Sequence, residues 1–301
     1  MKKASCVILL AMLFCLVATE ITQAQLTGHY PLGVEGVKAG TLPPPGLYSR
    51  NYFYFYNADD YRGSDGKKAP IGFDVSAFVF APRLIWITEQ KILGADFGMD
   101  VLLPFTYQDI EIDAMGVSDN MFCAGDLCVE PIDLAWHGPQ YDLGAAAALW
   151  FPTGKYDADR AASPGKDFWT TMLTFGGTYY FDQEKTISAS ALGRFEMHSE
   201  ADELDVKPGN NILVEWGVAK TLGEIVDVGV AGYAQWQLTD DSGRDVWWDK
   251  STHDRIAAIG PEVSVFIPPA KMFLSCRALW EFSAVDRSEG AAVILTLTKP
   301  F

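Results

Sequence analysis

The chain has 301 residues and a formal net charge of −16, with 49% apolar, 13% aromatic and 21% charged residues. The apolar fraction excludes a disordered chain, and the acidic balance excludes a nucleic-acid partner, because phosphate binding needs clustered Lys and Arg. Five Cys in a chain of this length do not make a disulfide scaffold.

Lys2 and Lys3 open the chain, an apolar stretch runs from Val7 to Val17, and Thr22-Gln23-Ala24 follows with small residues at the positions a signal peptidase reads. Residues 1–24 are therefore expected to be a secretory signal, removed after Ala24. Neither Cys6 nor Cys15 sits in the pattern of a lipoprotein signal. After residue 24 no apolar run approaches the length of a transmembrane helix.

Residues 25–46 are rich in Gly and Pro and show no alternation. This segment is expected in the periplasm or folded into a lumen as a plug, with His29, Tyr30, Pro43, Pro44 and Pro45 gating a narrow path. From about Leu47 the residues alternate with period two. Strands are predicted at 47–57, 71–87, 93–105, 128–136, 141–151, 168–181, 186–198, 211–220, 225–238, 256–267, 271–283 and 291–301. In 186–198, for example, Ile187, Ala189, Ala191 and Phe195 share one face, while Ser188, Ser190, Arg194 and Glu196 share the other. A helix would repeat its apolar residues every three to four positions. In 71–87 the phase slips at Ala81-Pro82, which predicts a bulge.

Twelve such strands suit two settings, a soluble sandwich or a membrane barrel with its apolar face outward. The connections decide between them. Thr88–Lys91, His137–Gln140, Asp182–Lys185, Thr221–Glu224 and Pro268–Ala270 are short. The alternate connections 58–70, 106–127, 152–167, 199–210 and 239–255 are long, and only 284–290 is brief. Short turns at one end and long loops at the other define an outer-membrane barrel with its termini in the periplasm. The expected fold is all-β, a transmembrane antiparallel up-and-down β-barrel of about 12 strands over residues 47–301. A terminal Phe301 on an amphipathic strand resembles the signal read by the barrel assembly machinery, although Lys299 and Pro300 depart from it.

Several stretches resemble the bacterial family labelled by the meta-pathway of phenol degradation. They are Gly40-Thr41-Leu42-Pro43-Pro44-Pro45-Gly46, Leu134-Ala135-Trp136-His137 and Phe151-Pro152-Thr153-Gly154-Lys155-Tyr156. The resemblance implies an outer-membrane channel for hydrophobic or aromatic small molecules, by passive diffusion, with outer-membrane lipid around it. It implies no enzymatic step.

By the alternation, Asp96, Asp100, Asp142, Arg194, Glu196, Glu215, Asp227, Glu262, Arg277 and Glu281 face the lumen, with Arg50 a further candidate. They form either a constriction that filters solutes or a paired network that braces the wall. Cys123 and Cys128 are expected to form a local disulfide in the longest external loop, and Cys276 falls on the lipid face. No catalytic residue, cofactor or metal is expected. Gly154-Lys155 lacks the spacing of a phosphate loop, and the four His are scattered. Two other readings stand beside the channel: a closed structural or adhesive barrel, and a lipase-type enzyme built around His198.

Overall fold

In a computed structural model the described residues are 27–301. The secretory signal expected at 1–24 lies outside them. The strands are β1 (Gly46–Arg62), β2 (Phe73–Ile92), β3 (Ala95–Leu102), β4 (Phe105–Ile112), β5 (Val117–Ala124), β6 (Leu127–His137) and β7 (Tyr141–Phe151). They continue with β8 (Thr170–Tyr180), β9 (Ile187–His198), β10 (Asn211–Leu222), β11 (Val226–Gln237), β12 (Arg255–Ile267), β13 (Met272–Val285) and β14 (Arg287–Pro300). All pairings are antiparallel, and β1 pairs with both β2 and β14, which closes the sheet on itself. Twelve strands, β1–β3 and β6–β14, make a closed barrel, and β4–β5 is a hairpin extending its wall.

Alternation sets the two faces. Leu149, Leu173, Val218, Ile259 and Val263 point outward and stay exposed, while Asp142, Glu196, Glu215, Glu262 and Arg277 point inward and are buried. That is the inverse of a soluble protein and the order a lipid-embedded barrel requires. Exposed aromatics border the apolar band at both ends, with Trp86, Tyr141 and Tyr179 at the end of the short turns and Trp169, Trp236 and Trp280 at the other. The short turns are tight. Leu93 and Gly94, both with positive φ (52° and 80°), close β2 onto β3 in two residues, as a hairpin turn matched to strand twist demands. The short-turn end also holds the start of β1 and Phe301, and is the periplasmic end.

Three expectations change. Residues 106–127 are not a loop. β2 is twenty residues long and pairs with β3 through Arg83–Ile92 but with β4 through Phe73–Phe80. One long strand is interrupted at Leu103-Pro104, where Pro104 has no N–H to give, and its return is interrupted at Gly125-Asp126. The second change concerns Ala81-Pro82, where no bulge forms, since the β1–β2 ladder keeps its register through Asn51↔Pro82. Pro82 instead lies where β2 exchanges β4 for β3. The third is at 284–290, where Asp286 alone joins β13 to β14.

A real bulge lies in β6. Gly98 pairs with Asp133 but Asp100 with Glu130, and on the other side Val129 pairs with Leu149 but Ile132 with Ala147. The extra residue leaves Pro131 and Ile132 both exposed, and returns Asp133 to the inner face beside Glu130.

Candidate functional site

The segment 27–45 runs through the lumen from the external side to the periplasmic side, then turns into β1. Its periplasmic end is held by hydroxyl and charge contacts. Thr41 Oγ1 donates to Asp142 at 3.0 Å, and Tyr180 O–H donates to the same carboxylate at 2.7 Å. Lys38 Nζ pairs with Asp227 at 2.8 Å. Gly40 passes directly over the backbone of Gly177, and a Cβ on Gly40 would fall on that backbone. Glycine is needed at position 40 because two main chains approach there.

At mid-height the wall grips the backbone itself. Arg277 Nη1 donates to Gly33 O at 3.0 Å and also to Val34 O, while its Nη2 pairs with Glu262 at 3.2 Å. Val37 N–H donates to Glu262 at 2.9 Å, and Glu35 N–H to Glu215 at 3.0 Å. Glu35 turns its carboxylate to Arg50 at 3.1 Å, Tyr52 O–H at 3.0 Å and Arg83 at 3.5 Å. Leu32 is inserted among Leu213, Tyr233, Leu279 and Ile294, and Val34 among Tyr52 and Ala81. Burying these side chains contributes about 1.5–3 kcal/mol each.

The external end is held by a chain of polar groups. Glu196 accepts the N–H groups of His29 and Tyr30 at 3.1 and 2.9 Å. The His29 ring lies between Asp126 at 2.9 Å and Thr170 at 2.7 Å, and is stacked on Trp150. Tyr30 donates to Glu215 at 2.7 Å, and the Arg194 guanidinium sits 4.0 Å from its ring centre while pairing with the same Glu215. Lys166, from the β7–β8 connection, donates to Thr27 Oγ1 at 3.0 Å. Burial holds the Lys166 ammonium below the ordinary lysine value.

Above this segment, on the external side, lies a cavity of about 720 Å³. Its sides are Tyr54, Tyr56, Val79, Trp150, Tyr156 and Trp248, and its floor is Tyr30, Glu35 and Arg83. The wall is mostly hydrocarbon and aromatic ring, with charged groups at the base and, higher up, at Asp126, Arg160, Lys166, Asp286 and Arg287. Such a space suits an uncharged planar or hydrophobic solute.

Among the inward residues expected from the sequence, Asp96, Asp100, Asp142, Arg194, Glu196, Glu215, Glu262 and Arg277 are buried inside the barrel. Arg50 and Asp227 are half-buried, each paired to the segment, to Glu35 and Lys38 respectively. Glu281 lies apart from the segment, accepting from Tyr56 at 2.7 Å and Tyr233 at 2.5 Å. Glu196, Glu215, Glu262 and Arg277 spend their polar atoms on the segment's backbone rather than on an open bore. Pro44 and Pro45 are exposed at the short-turn mouth, and Pro43 is half-buried there, so the proline run lies at the rim of the barrel.

Cys123 and Cys128 are free thiols, so the expected disulfide does not form. The stretch between them is not a loop but the junction of two strands. Cys123 pairs with Thr106 in the hairpin, whereas Cys128 faces inward against Ala148, Trp150 and Met172. Cys276 is exposed on the outer face, as the alternation required. His198 is bonded to Thr170 at 2.7 Å and Asn211 at 3.2 Å, inside the wall.

Sequence reasoning missed Glu35, Lys38, Arg83, Asp126, Glu130 and Asp133. Arg83 was hidden by the interrupted β2 pattern, and Asp133 by the bulge. For Glu35 and Lys38 no periodicity existed to read.

A closed barrel of twelve strands, apolar outside, with short turns at one end and a chain segment laid through its lumen, defines an outer-membrane β-barrel protein. The family model described as "Putative MetA-pathway of phenol degradation" matches residues 58–297, and the chain belongs to that family. Among solved structures, the chain is similar to the COG4313 outer membrane channel from Pseudomonas putida F1, with a TM-score of 0.75 and 16% identity, covering 91% of this chain and 100% of that one. It is also similar to the transport unit of the autotransporter AIDA-I from Escherichia coli, with a TM-score of 0.50 and 10% identity, covering 95% of this chain and 97% of that one. At these identities the likeness speaks for the fold. No curated protein matches the sequence.

Proposed function

We propose that this barrel is a channel through which hydrophobic, chiefly aromatic, small molecules cross the outer membrane by passive diffusion. The observation that carries the reading is the external cavity, about 720 Å³, aromatic and aliphatic on its sides and floored by the segment 27–45. A solute enters the cavity by giving up hydration of its apolar surface, worth about 25 cal/mol per Å² buried. It then meets Tyr30, Glu35 and Arg83, where the segment fills the bore, and passage requires that segment to shift. A sugar gains nothing from the apolar walls and meets the same obstruction. Family membership and the likeness to an outer-membrane channel support the reading.

Uptake of a labelled hydrophobic aromatic and of a sugar of similar size tests it, in a strain lacking this gene and in the same strain with the gene restored. Slowed uptake of the aromatic alone, restored with the gene, is the expected result. Slowing of both makes the barrel a general pore. No change in either favours a closed barrel whose role lies in its external loops, a reading that the filled lumen also suits.

A further inference from the structure

The barrel wall beside Glu35 gathers more carboxyl groups than the guanidinium groups paired directly with them. Asp100 on β3 and Glu130 and Asp133 on β6 bring ligand-capable oxygens within 4.8 Å of one another. All three side chains are buried, with 6%, 7% and 1% of their residue surface exposed. Arg83 pairs with Asp100 and reaches Glu130 only at 3.5 Å, and it divides itself further with Glu35, also at 3.5 Å. Arg50 is committed to Glu35 at 3.1 Å. Two guanidinium groups thus stand among four carboxylates. Asp133 is the extreme case, for its Oδ2 is buried with no N–H or hydroxyl donor and only the Glu130 carboxyl group beside it.

The backbone is distorted to make this cluster. Residues three apart on a regular strand point to opposite faces, so Glu130 and Asp133 would be separated by the wall. The bulge at Pro131 and Ile132 places both inside. Burying a third carboxylate beside two others costs several kcal/mol unless a cation or a proton compensates it. A buried oxygen with no partner is the mark of a group that is missing one.

We infer that Asp100, Glu130 and Asp133 form a site for a divalent cation of the hard, oxygen-ligated kind, and that Ca²⁺ is its occupant. Three carboxylates supply up to six oxygens, and Ca²⁺ accepts an irregular set of six to eight ligands, whereas Mg²⁺ demands near-octahedral order. With all four carboxylates ionised, a doubly charged ion offsets the charge that the two guanidinium groups leave unanswered. It also ties β3 to β6 at the level where Glu35 meets the wall.

The test uses the full-length folded protein in detergent, stripped with EDTA and desalted. Ca²⁺ is titrated by calorimetry, and Tb³⁺ by luminescence sensitised through the barrel's tryptophans. One ion per chain is expected for the wild type and for D74N, a variant of an exposed carboxylate near the start of β2. Glu130→Gln and Asp133→Asn are expected to lose it while keeping the heat-dependent gel shift of a folded barrel. Absence of stoichiometric binding by the wild type overturns the inference whether or not the variants fold, as does unchanged binding by a folded D133N. So does an infrared carboxylic-acid band in the wild type that vanishes in D133N, because Glu130 and Asp133 would then share a proton.

Discussion

The guanidinium of Arg277, on β13, donates to the carbonyl oxygen of Gly33 at 3.0 Å, so a wall strand holds the main chain of the segment inside the lumen. The same side chain pairs with Glu262, which in turn accepts Val37 N–H. Replacing Arg277 by Met removes the grip and leaves Glu262 buried without its cation. Breaking a buried pair in this way costs about 3–5 kcal/mol. R277M is expected to lower unfolding stability in detergent by that order and to raise single-channel conductance in planar bilayers. Wild-type conductance in a folded R277M barrel would show that the segment does not depend on this contact.

The external end of the segment should respond to acid. Burial holds the His29 imidazole below its ordinary value of 6.5, and the hydrogen bond it gives to Asp126 only partly opposes this. A released His29 takes up a proton more readily than a docked one, so the docked state is fully favoured above about pH 6.5 and loses ground as pH falls below it. The other groups facing this ring and its backbone are Thr170, Lys166, Glu196 and His198, with Trp150 and Phe168 packed on the ring. Conductance is expected to rise as pH falls from about 7.5 to about 5.5, with the change diminished in H29Q. A flat profile for the wild type would exclude His29 from holding the segment.

Gly40 has no room for a side chain, because the Cβ of any larger residue would meet the Gly177 backbone. Gly40→Val should therefore push the lower end of the segment out of place, at a cost of about 1–3 kcal/mol for overpacking. The expected outcome is faster sugar entry into proteoliposomes by a swelling assay, with strand content unchanged. Swelling as slow as the wild type's would mean that the bore stays closed without Gly40 against Gly177.

Where one rule acts alone, the sequence is a good guide. In β7, β9, β10 and β11 each residue has only an inside or an outside to choose. The alternation therefore located Asp142, Glu196, Glu215 and Asp227 on the inner face without any structure. It failed where the backbone breaks its own period. The bulge at Pro131 shifts Asp133 by one position, and Pro104 divides a single long strand into β3 and β4, so the polar-rich Tyr107–Ile112 read as loop. What the inward charges do was not legible either. Their partners are Gly33, Val34, Glu35 and Val37, in a segment without periodicity, and the contacts are largely to its backbone, which leaves no trace in side-chain pattern.

Immobilising the segment shows whether a hydrophobic solute passes through the lumen by displacing residues 27–45. The Cβ of a residue at position 144 would lie 3.6 Å from Leu42 Cδ1, with nothing nearer. A cysteine pair, Leu42→Cys with Gly144→Cys, therefore puts two thiols on facing chains, to be joined by air oxidation or by a short reducible bis-methanethiosulfonate. It should be built in a chain whose Cys123, Cys128 and Cys276 are replaced by Ser. Uptake of the labelled aromatic would be followed in cells lacking the native gene, before and after reduction. The account predicts that the oxidised form blocks uptake and that reduction restores it to the rate of the unlinked protein. Equal uptake in the two states, with the crosslink verified by mass, would contradict it.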